Sequence, residues 1–470
     1  MSPVAEPPPA SQVKADLRRS LSLCVAEGLV AMPLVTMSLP VNLFLTAMVV
    51  RAFPLSTPMI GVFCALPFVG NFVQIFAVPL LARWQPPKAQ TVLFELLHLL
   101  SWVGLAVLLP LLPRERPAAA GAGLLAWFLI SSCFSAMAGV NWNSWIEDWV
   151  PARLRGKFFG RRNRLLQFSA LAFLLVVGWA LGQWNYSVPA FQAVIAGAVL
   201  LRCFSIRWQW ISPTRTARPR PPPTLSFRHQ LGVLRRSGSL LIFVAFGCVW
   251  AFATYCFGPF YQVFMFEQTR FSAFEVGVTA TLSQLGGALS LPAWGQLLDR
   301  YGNKPVMVFS LFLWQLPNFF WCFITPENSA LLYVLWTWAG ATSAGFVLGQ
   351  FTILLRLIPI EAKNLAIGFN LAVTSIFAAV APVAGGWILQ RGMSRYGDPL
   401  SVYHGCFLLQ PVLVLAGAFL LLRVHEPAAQ PFGTLVGAMR NVRTLGGVLG
   451  LGFLTNYVFV KPPHKDGGTL

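Results

Sequence analysis

Gly295-Gln-Leu-Leu-Asp299-Arg300-Tyr301-Gly302-Asn303-Lys304-Pro305 joins two long apolar runs, estimated at 272–294 and 305–323. Runs of that length and character read as membrane spans, which need about 20 apolar residues each. The charged, glycine-containing stretch between them is therefore a tight connection at a membrane surface. A worn counterpart occurs earlier, at Pro79-Leu-Leu-Ala-Arg83-Trp84-Gln-Pro86-Pro-Lys88, between runs at 57–82 and 90–112. There the turn glycine is proline and the aspartate is arginine.

The rest of the chain agrees with a bilayer environment. Of 470 residues, 56% are hydrophobic and 10% charged, whereas a soluble domain carries about 25% charge. Twelve apolar segments emerge in all: 21–49, 57–82, 90–112, 119–143, 164–184, 188–206, 238–264, 272–294, 305–323, 329–355, 364–389 and 402–423. Pro33, Pro40, Pro67 and Pro79 fall within the early ones and predict bent helices. Placing the N-terminus in the cytoplasm puts 28 of the 34 lysines and arginines on the inner side, a strong positive-inside bias. The net charge of +19 is spread between spans and forms no continuous patch, which argues against a nucleic-acid partner. The eight cysteines all fall in predicted spans without a C-x-x-C pair, so they read as small hydrophobes, with neither a disulfide framework nor a metal site.

The stretch from Ser212 to Thr224 is basic, proline-rich and without periodicity, which predicts extended backbone. It divides the chain into six spans and six. The expected organisation is a cytoplasmic tail 1–19, a six-helix bundle 20–207, a linker 208–236, a second bundle 237–424 and a cytoplasmic or interfacial tail 425–470. A second repeated connection supports the duplication. Pro151-Ala-Arg153-Leu-Arg155-Gly156-Lys157-Phe-Phe-Gly160 matches Pro359-Ile-Glu361-Ala-Lys363-Asn364-Leu-Ala-Ile-Gly368 in the offset of the outer Pro and Gly. Residues 445–460 are apolar but short and glycine-rich, and are expected to lie loosely at the interface rather than to form a thirteenth span.

Over residues 20–424 the sequence resembles the major facilitator superfamily of transporters, on the Gly295–Lys304 loop, its worn copy, and Ala381-Pro382-Val-Ala-Gly385-Gly386 in span 11. The resemblance implies an all-α protein of twelve transmembrane helices in two six-helix bundles related by a pseudo-two-fold repeat, working by alternating access. It also implies a gating role for the loop residues Gly295, Asp299, Arg300, Gly302 and Lys304. A carboxylate beside a span end, such as Asp299, can meet helix N-terminal amides or a basic partner. The first-half copy lacks that acid, so Glu147 and Asp148 are the local alternatives.

Acids inside spans are costly and mark function. Two are clearly inside, Glu27 in span 1 and Glu95 in span 3. Glu27, Ser38 and Asn42 fall within about 60° on one helical face, and the resemblance places span 1 on the transport path. Glu27 and Asn42 are thus candidates for proton coupling or substrate contact. Glu95 and His98 stand three residues apart, on one helical face, where a carboxylate and an imidazole could relay a proton. Amide and aromatic groups supply cavity candidates. Asn71 and Gln74 lie in span 2, and Trp142, Asn143 and Trp145 at the end of span 4. Tyr255 and Gln262 belong to span 7 and Gln284 to span 8. Trp336 and Gln350 belong to span 10, and Asn370 to span 11. Rings stacking on an apolar face while amides meet hydroxyls suits neutral, hydroxyl-rich solutes. Arg161 and Arg162 opening span 5 read as topology and headgroup contact, and Arg202 and Arg207 as snorkelling residues at the end of span 6.

The function expected from these residues is secondary transport of a small sugar-like or nucleoside-like solute, driven by no cofactor other than a proton gradient. The setting is a bacterial inner membrane, with both termini cytoplasmic and the protein monomeric. Efflux of amphipathic compounds and a non-transporting sensor with the same fold are the alternatives. No G-x-x-x-x-G-K-[ST] loop is present, which disfavours ATP-driven pumping. No convergent catalytic set points to an enzyme.

Overall fold

A computed structural model describes residues 10–81, 86–150, 152–212, 227–426 and 429–451. The worn loop residues 82–85, linker residues 213–226 and the last 19 residues fall outside that range. The described residues form helices and no strand. In chain order these are α1 Ala10–Met37, α2 Leu43–Ala47, α3 Thr57–Leu81, α4 Pro87–Leu108, α5 Pro117–Trp149 and α6 Ala152–Gln183. There follow α7 Val188–Ile211, α8 Phe227–Arg236, α9 Gly238–Glu267, α10 Ala273–Tyr301 and α11 Asn303–Phe319. The chain continues with α12 Leu331–Leu357, α13 Lys363–Tyr396, α14 Pro399–Arg423, α15 Phe432–Met439 and α16 Val442–Val448. Among the described residues eleven helices are long and apolar enough to cross a membrane. The helix α10 is as long as they are, with 29 residues, but its Gly, Ser and Thr content lowers its hydropathy. With it the expected twelve spans are all helical.

The first span departs from its expected form. A continuous helix over 21–49 was expected, but it breaks between Met37 and Leu43. Pro40 has no N–H to donate and its ring crowds the preceding turn, so a helix cannot run through it unperturbed. Asn42 repairs the break from both sides. Its Oδ1 accepts the Leu45 N–H at 2.9 Å, capping α2, while its Nδ2 donates to the carbonyls of Met37 at 3.0 Å and Leu39 at 2.7 Å. In hydrocarbon those carbonyls would otherwise cost several kcal/mol each, on the order of a lost hydrogen bond with no water to replace it. A π-helical turn, Met48–Ala52, completes the segment.

The connection between the fourth and fifth spans is also tighter than expected. The helix α5 runs to Trp149 and α6 starts at Ala152, so much of the Pro151–Gly160 signature is helical. The described part of the tail is not loose either. Both α15 and α16 pack on α10 and α11, with Leu435 and Val448 fully buried against Trp294, Leu298, Tyr301 and Val306.

The chain packs as two compact units. The first takes the described part of Met1–Thr224 with Gly258–Gly277 and Ser375–Arg391. The second takes that of Leu225–Phe257 with Val278–Thr374 and Gly392–Leu470. The division expected at the linker is thus modified, because parts of α9, α10 and α13 pack into the first unit. Within that unit Gly61 of α3 lies against the Pro382 carbonyl of α13, and Gly386 against the Thr57 carbonyl. No side chain fits at either glycine without moving backbone, so these two helices approach as closely as helices can.

Candidate functional site

The first unit encloses a charged cluster held by four helices. Glu27 comes from α1, Glu95 and His98 from α4, Arg162 from α6, and Arg202, Ser205 and Gln209 from α7. Glu27 is 4% exposed, Glu95 4%, Arg162 7% and Arg202 5%. Arg162 Nη2 donates to Glu27 Oε1 at 3.0 Å, and its Nε donates to the Cys24 carbonyl at 3.0 Å. Arg202 Nη2 meets Glu95 Oε1 at 2.8 Å. The Gln209 amide bridges the two pairs, donating to Glu27 Oε2 at 3.0 Å and to Glu95 Oε1 at 3.1 Å. Ser205 Oγ lies 3.3 Å from Glu27 Oε2. Two carboxylates and two guanidiniums balance to zero formal charge, the condition under which buried ions are tolerated.

Arg162 and Arg202 therefore do not do what their sequence positions suggest. Neither reaches for headgroups. Both turn inward, because a carboxylate inside a span requires a cationic partner more than an interfacial arginine requires lipid. Arg162 also lies over the Trp142 ring, 4.6 Å from its centroid. The partners were findable in principle, since each buried acid had to be neutralised by some arginine at a helix end.

Glu95 and His98 share a buried face but engage different partners. His98 Nε2 accepts from the Trp102 indole N–H at 3.1 Å and lies 3.0 Å from Ser38 Oγ at the break in the first span. An indole N–H can only donate, so Nε2 is the acceptor and the ring proton belongs to Nδ1. The expected carboxylate–imidazole pair is replaced by two separate attachments, Glu95 to α7 and His98 to α1.

The amide and aromatic candidates are scattered. Gln262 Oε1 accepts from the Thr46 hydroxyl at 2.9 Å in the first unit. Gln74 is buried, Asn71 half-buried, Asn143 and Gln284 exposed. Trp145 is packed among Cys24, Ile146 and Trp149, with its indole N–H lacking an acceptor among the described residues. In the second unit Trp336 is half-buried and its indole N–H likewise lacks one. Tyr255 packs edge-on to Trp250. Gln350 and Asn370 are half-buried.

The signature loop is anchored by a residue outside it. Gly302 has φ 91°, open to glycine at little cost, and turns the chain into α11. The buried Glu426, just past α14, accepts the Asn303 N–H at 3.1 Å, the Asn303 side-chain amide at 2.6 Å and the Lys304 N–H at 2.7 Å. A carboxylate at a helix N-terminus satisfies orphan donors and complements the dipole. Arg356 joins it at 3.0 Å. Asp299 and Arg300 are exposed, with Arg300 over the Tyr301 ring, and Gly295 has open space around it. In the first half the corresponding tie has opposite charge. Lys88 Nζ donates to the carbonyls of Trp210 at 2.8 Å and Ser212 at 2.7 Å, at the C-terminus of α7. The side chains of Glu147 and Asp148 lie outside the described residues. Outside the spans, Asp398 caps α14, and the Ser401 hydroxyl holds its carboxyl below the usual range.

Helices enough to cross a bilayer many times, with a net-neutral ion cluster buried among them, define a polytopic membrane protein. Residues 249–461 match the family model described as Major Facilitator Superfamily. That match lies in the second half of the chain. No curated protein matches the sequence. Among solved structures, the chain is similar to the nucleoside transporter NupG (16% identity, TM-score 0.62, 88% of this chain and 98% of that one). It is also similar to a D-xylose–proton symporter (14%, TM-score 0.68, 86% and 98%). A third is a bacterial homologue of the human lysosomal transporter Spinster in an inward-facing, unoccupied conformation (13%, TM-score 0.57, 89% and 96%). At these identities the likeness establishes the fold.

Proposed function

We propose that the protein is a secondary transporter of a small, neutral, hydroxyl-bearing solute of the sugar or nucleoside kind. The observation that carries the reading is the meeting of the two sequence halves inside the first unit. There the second half's Gly258–Gly277 and Ser375–Arg391 pack on first-half helices. The contacts include polar ones beside buried apolar ones. The Thr57 hydroxyl lies 3.1 Å from the Gly386 carbonyl and 3.2 Å from Gln390 Oε1, and Arg51 Nη2 donates to the Phe266 carbonyl at 2.7 Å. Contacts of this kind can part and re-form, as alternating access requires, where an interlocked apolar core could not. On the proposed topology, an inner membrane with the N-terminus cytoplasmic, the positive-inside bias supports a position toward the outer face for these contacts.

The amide and indole content of the spans supports the substrate class, which is consistent with the solutes named for NupG and the D-xylose–proton symporter. A proton gradient is the proposed driving force. The clearly intramembrane carboxylates that could respond to it, Glu27 and Glu95, are both ion-paired. Flux into proteoliposomes of labelled pentoses, hexoses and nucleosides, with pH gradients of either sign, tests the reading. Saturable, gradient-dependent accumulation of one of these solutes is expected. Transport of amphipathic cations alone would replace it with efflux, and no flux of any solute would point to a sensor.

A further inference from the structure

We propose that α8 is a docking face for anionic phospholipid, whose headgroups its arginines hold at the membrane surface. The helix runs Phe227–Arg236. At about 100° per residue, Leu231 and Leu234 fall within about 60° of each other. Arg228, Arg235 and Arg236 share an arc about 100° wide, centred about 120° further round. The structure gives the two faces different surroundings. Leu234 is 2% exposed and packs with Leu240, Val244, Ile358 and Ala366. All three arginines are exposed.

That packing fixes the depth of the helix. Leu240 and Val244 belong to the start of α9, Ile358 follows α12, and Ala366 lies in the first turn of α13. The Ile360–Ala362 turn, which joins α12 to α13, also packs on α8. Each of α9, α12 and α13 is long and apolar enough to cross a membrane. The helix α8 is therefore level with the ends of three spans. Arg236 stands two residues before Gly238, where α9 begins, and two residues reach at most about 7 Å. The headgroup layer on each side of the hydrocarbon is about 5–8 Å deep.

Charge decides what the arginines meet there. No described residue is hydrogen-bonded or ion-paired to Arg228, Arg235 or Arg236. Glu361 is exposed in the adjoining turn, one negative charge against three positive. Arg162 and Arg202 turn inward because an acid waits for each inside the protein. The arginines of α8 have no such partner and turn out. A guanidinium fork matches a phosphate in geometry and charge, and basic residues beside a span are drawn to anionic lipid of the inner leaflet, which α8 faces on the proposed topology. A soluble acidic partner would have to displace lipid already within reach.

Photocrosslinking from the middle of α8 tests this, whatever the transported solute. Gly232 lies between the arginines on the helix surface, and a side chain added there meets nothing within 4 Å. The full chain carrying Gly232→p-benzoylphenylalanine is reconstituted in vesicles of phosphatidylcholine and phosphatidylglycerol, four parts to one, and lipid adducts are read by intact mass. Phosphatidylglycerol adducts should exceed that lipid's share of the bilayer several-fold. They should fall to that share when Arg228, Arg235 and Arg236 are all replaced by Gln, and stay enriched when all three are replaced by Lys. Millimolar inorganic phosphate should leave the enrichment unchanged relative to chloride of equal ionic strength. Adducts in proportion to bulk lipid, no lipid adduct at all, or enrichment that survives the Gln replacements would overturn the proposal. Loss of enrichment in phosphate would overturn it too, in favour of a site for soluble anions.

Discussion

Arg162 donates to Glu27 across 3.0 Å inside the first unit, with both side chains less than a tenth exposed. Breaking one side of such a pair leaves a buried charge uncompensated, at a cost of roughly 3–5 kcal/mol. Glu27→Gln should lower the melting temperature in detergent sharply, and Glu27→Gln with Arg162→Met should recover most of the loss. A carboxylate whose only task is to exchange a proton would behave differently. Its Gln variant would keep wild-type stability and lose only uphill accumulation.

The anchoring of the signature loop makes a second prediction. Glu426→Ala orphans the Asn303 and Lys304 N–H groups, each worth about 1–3 kcal/mol when buried without a partner. The Arg356 side chain is 54% exposed, so its pairing adds little. Glu426→Gln retains an acceptor and should cost clearly less than Ala. Equal melting temperatures for the two variants would remove the capping role.

Asn42→Ala removes the α2 cap and two carbonyl partners at the break in the first span. Loss of a cap alone costs about 0.5–2 kcal/mol. Asn42→Ala and Asn42→Ser both lose the amide's donations to Met37 and Leu39, but Ser keeps a neutral acceptor for the Leu45 N–H, so Ala should be the less stable of the two. Thermal denaturation of the two variants decides it.

Glycine positions separate contact from mere helix content. Gly61→Ala forces a methyl into the Pro382 carbonyl, whereas Gly104→Ala meets nothing within 4 Å. The first should change transport and the accessibility of cysteines placed nearby. The second should be neutral or stabilising by about 0.5–1 kcal/mol, the helix propensity difference. Equal effects would show that the α3–α13 contact has no special place in the cycle.

The fold was legible because bilayer thickness and charge bias leave few alternatives: each of the twelve expected spans is built of helix, the first with a break. The break at Pro40 was visible only as a bend, since Asn42's repair depends on three-dimensional geometry. Glu27 and Glu95 stood out because acids in apolar runs are rare. Their partners did not, because Arg162 and Arg202 sit at helix ends where lipid contact explains an arginine equally well. Glu426 follows a span end and looks like an ordinary surface acid, so its reach of more than 120 residues back to Asn303 had no local signature. The packing of the tail's described part against Trp294 and Gly286 is tertiary, and a short glycine-rich run carries no local sign of it.

Alternating access requires the two sequence halves to separate, and a reversible tether tests that most directly. Cysteines replacing Thr57 and Gln390, whose side chains lie 3.2 Å apart, would be bridged by a short cleavable thiol reagent in proteoliposomes. Solute flux should stop on bridging and return on reduction. Flux that continues unchanged through a demonstrated bridge would contradict the account.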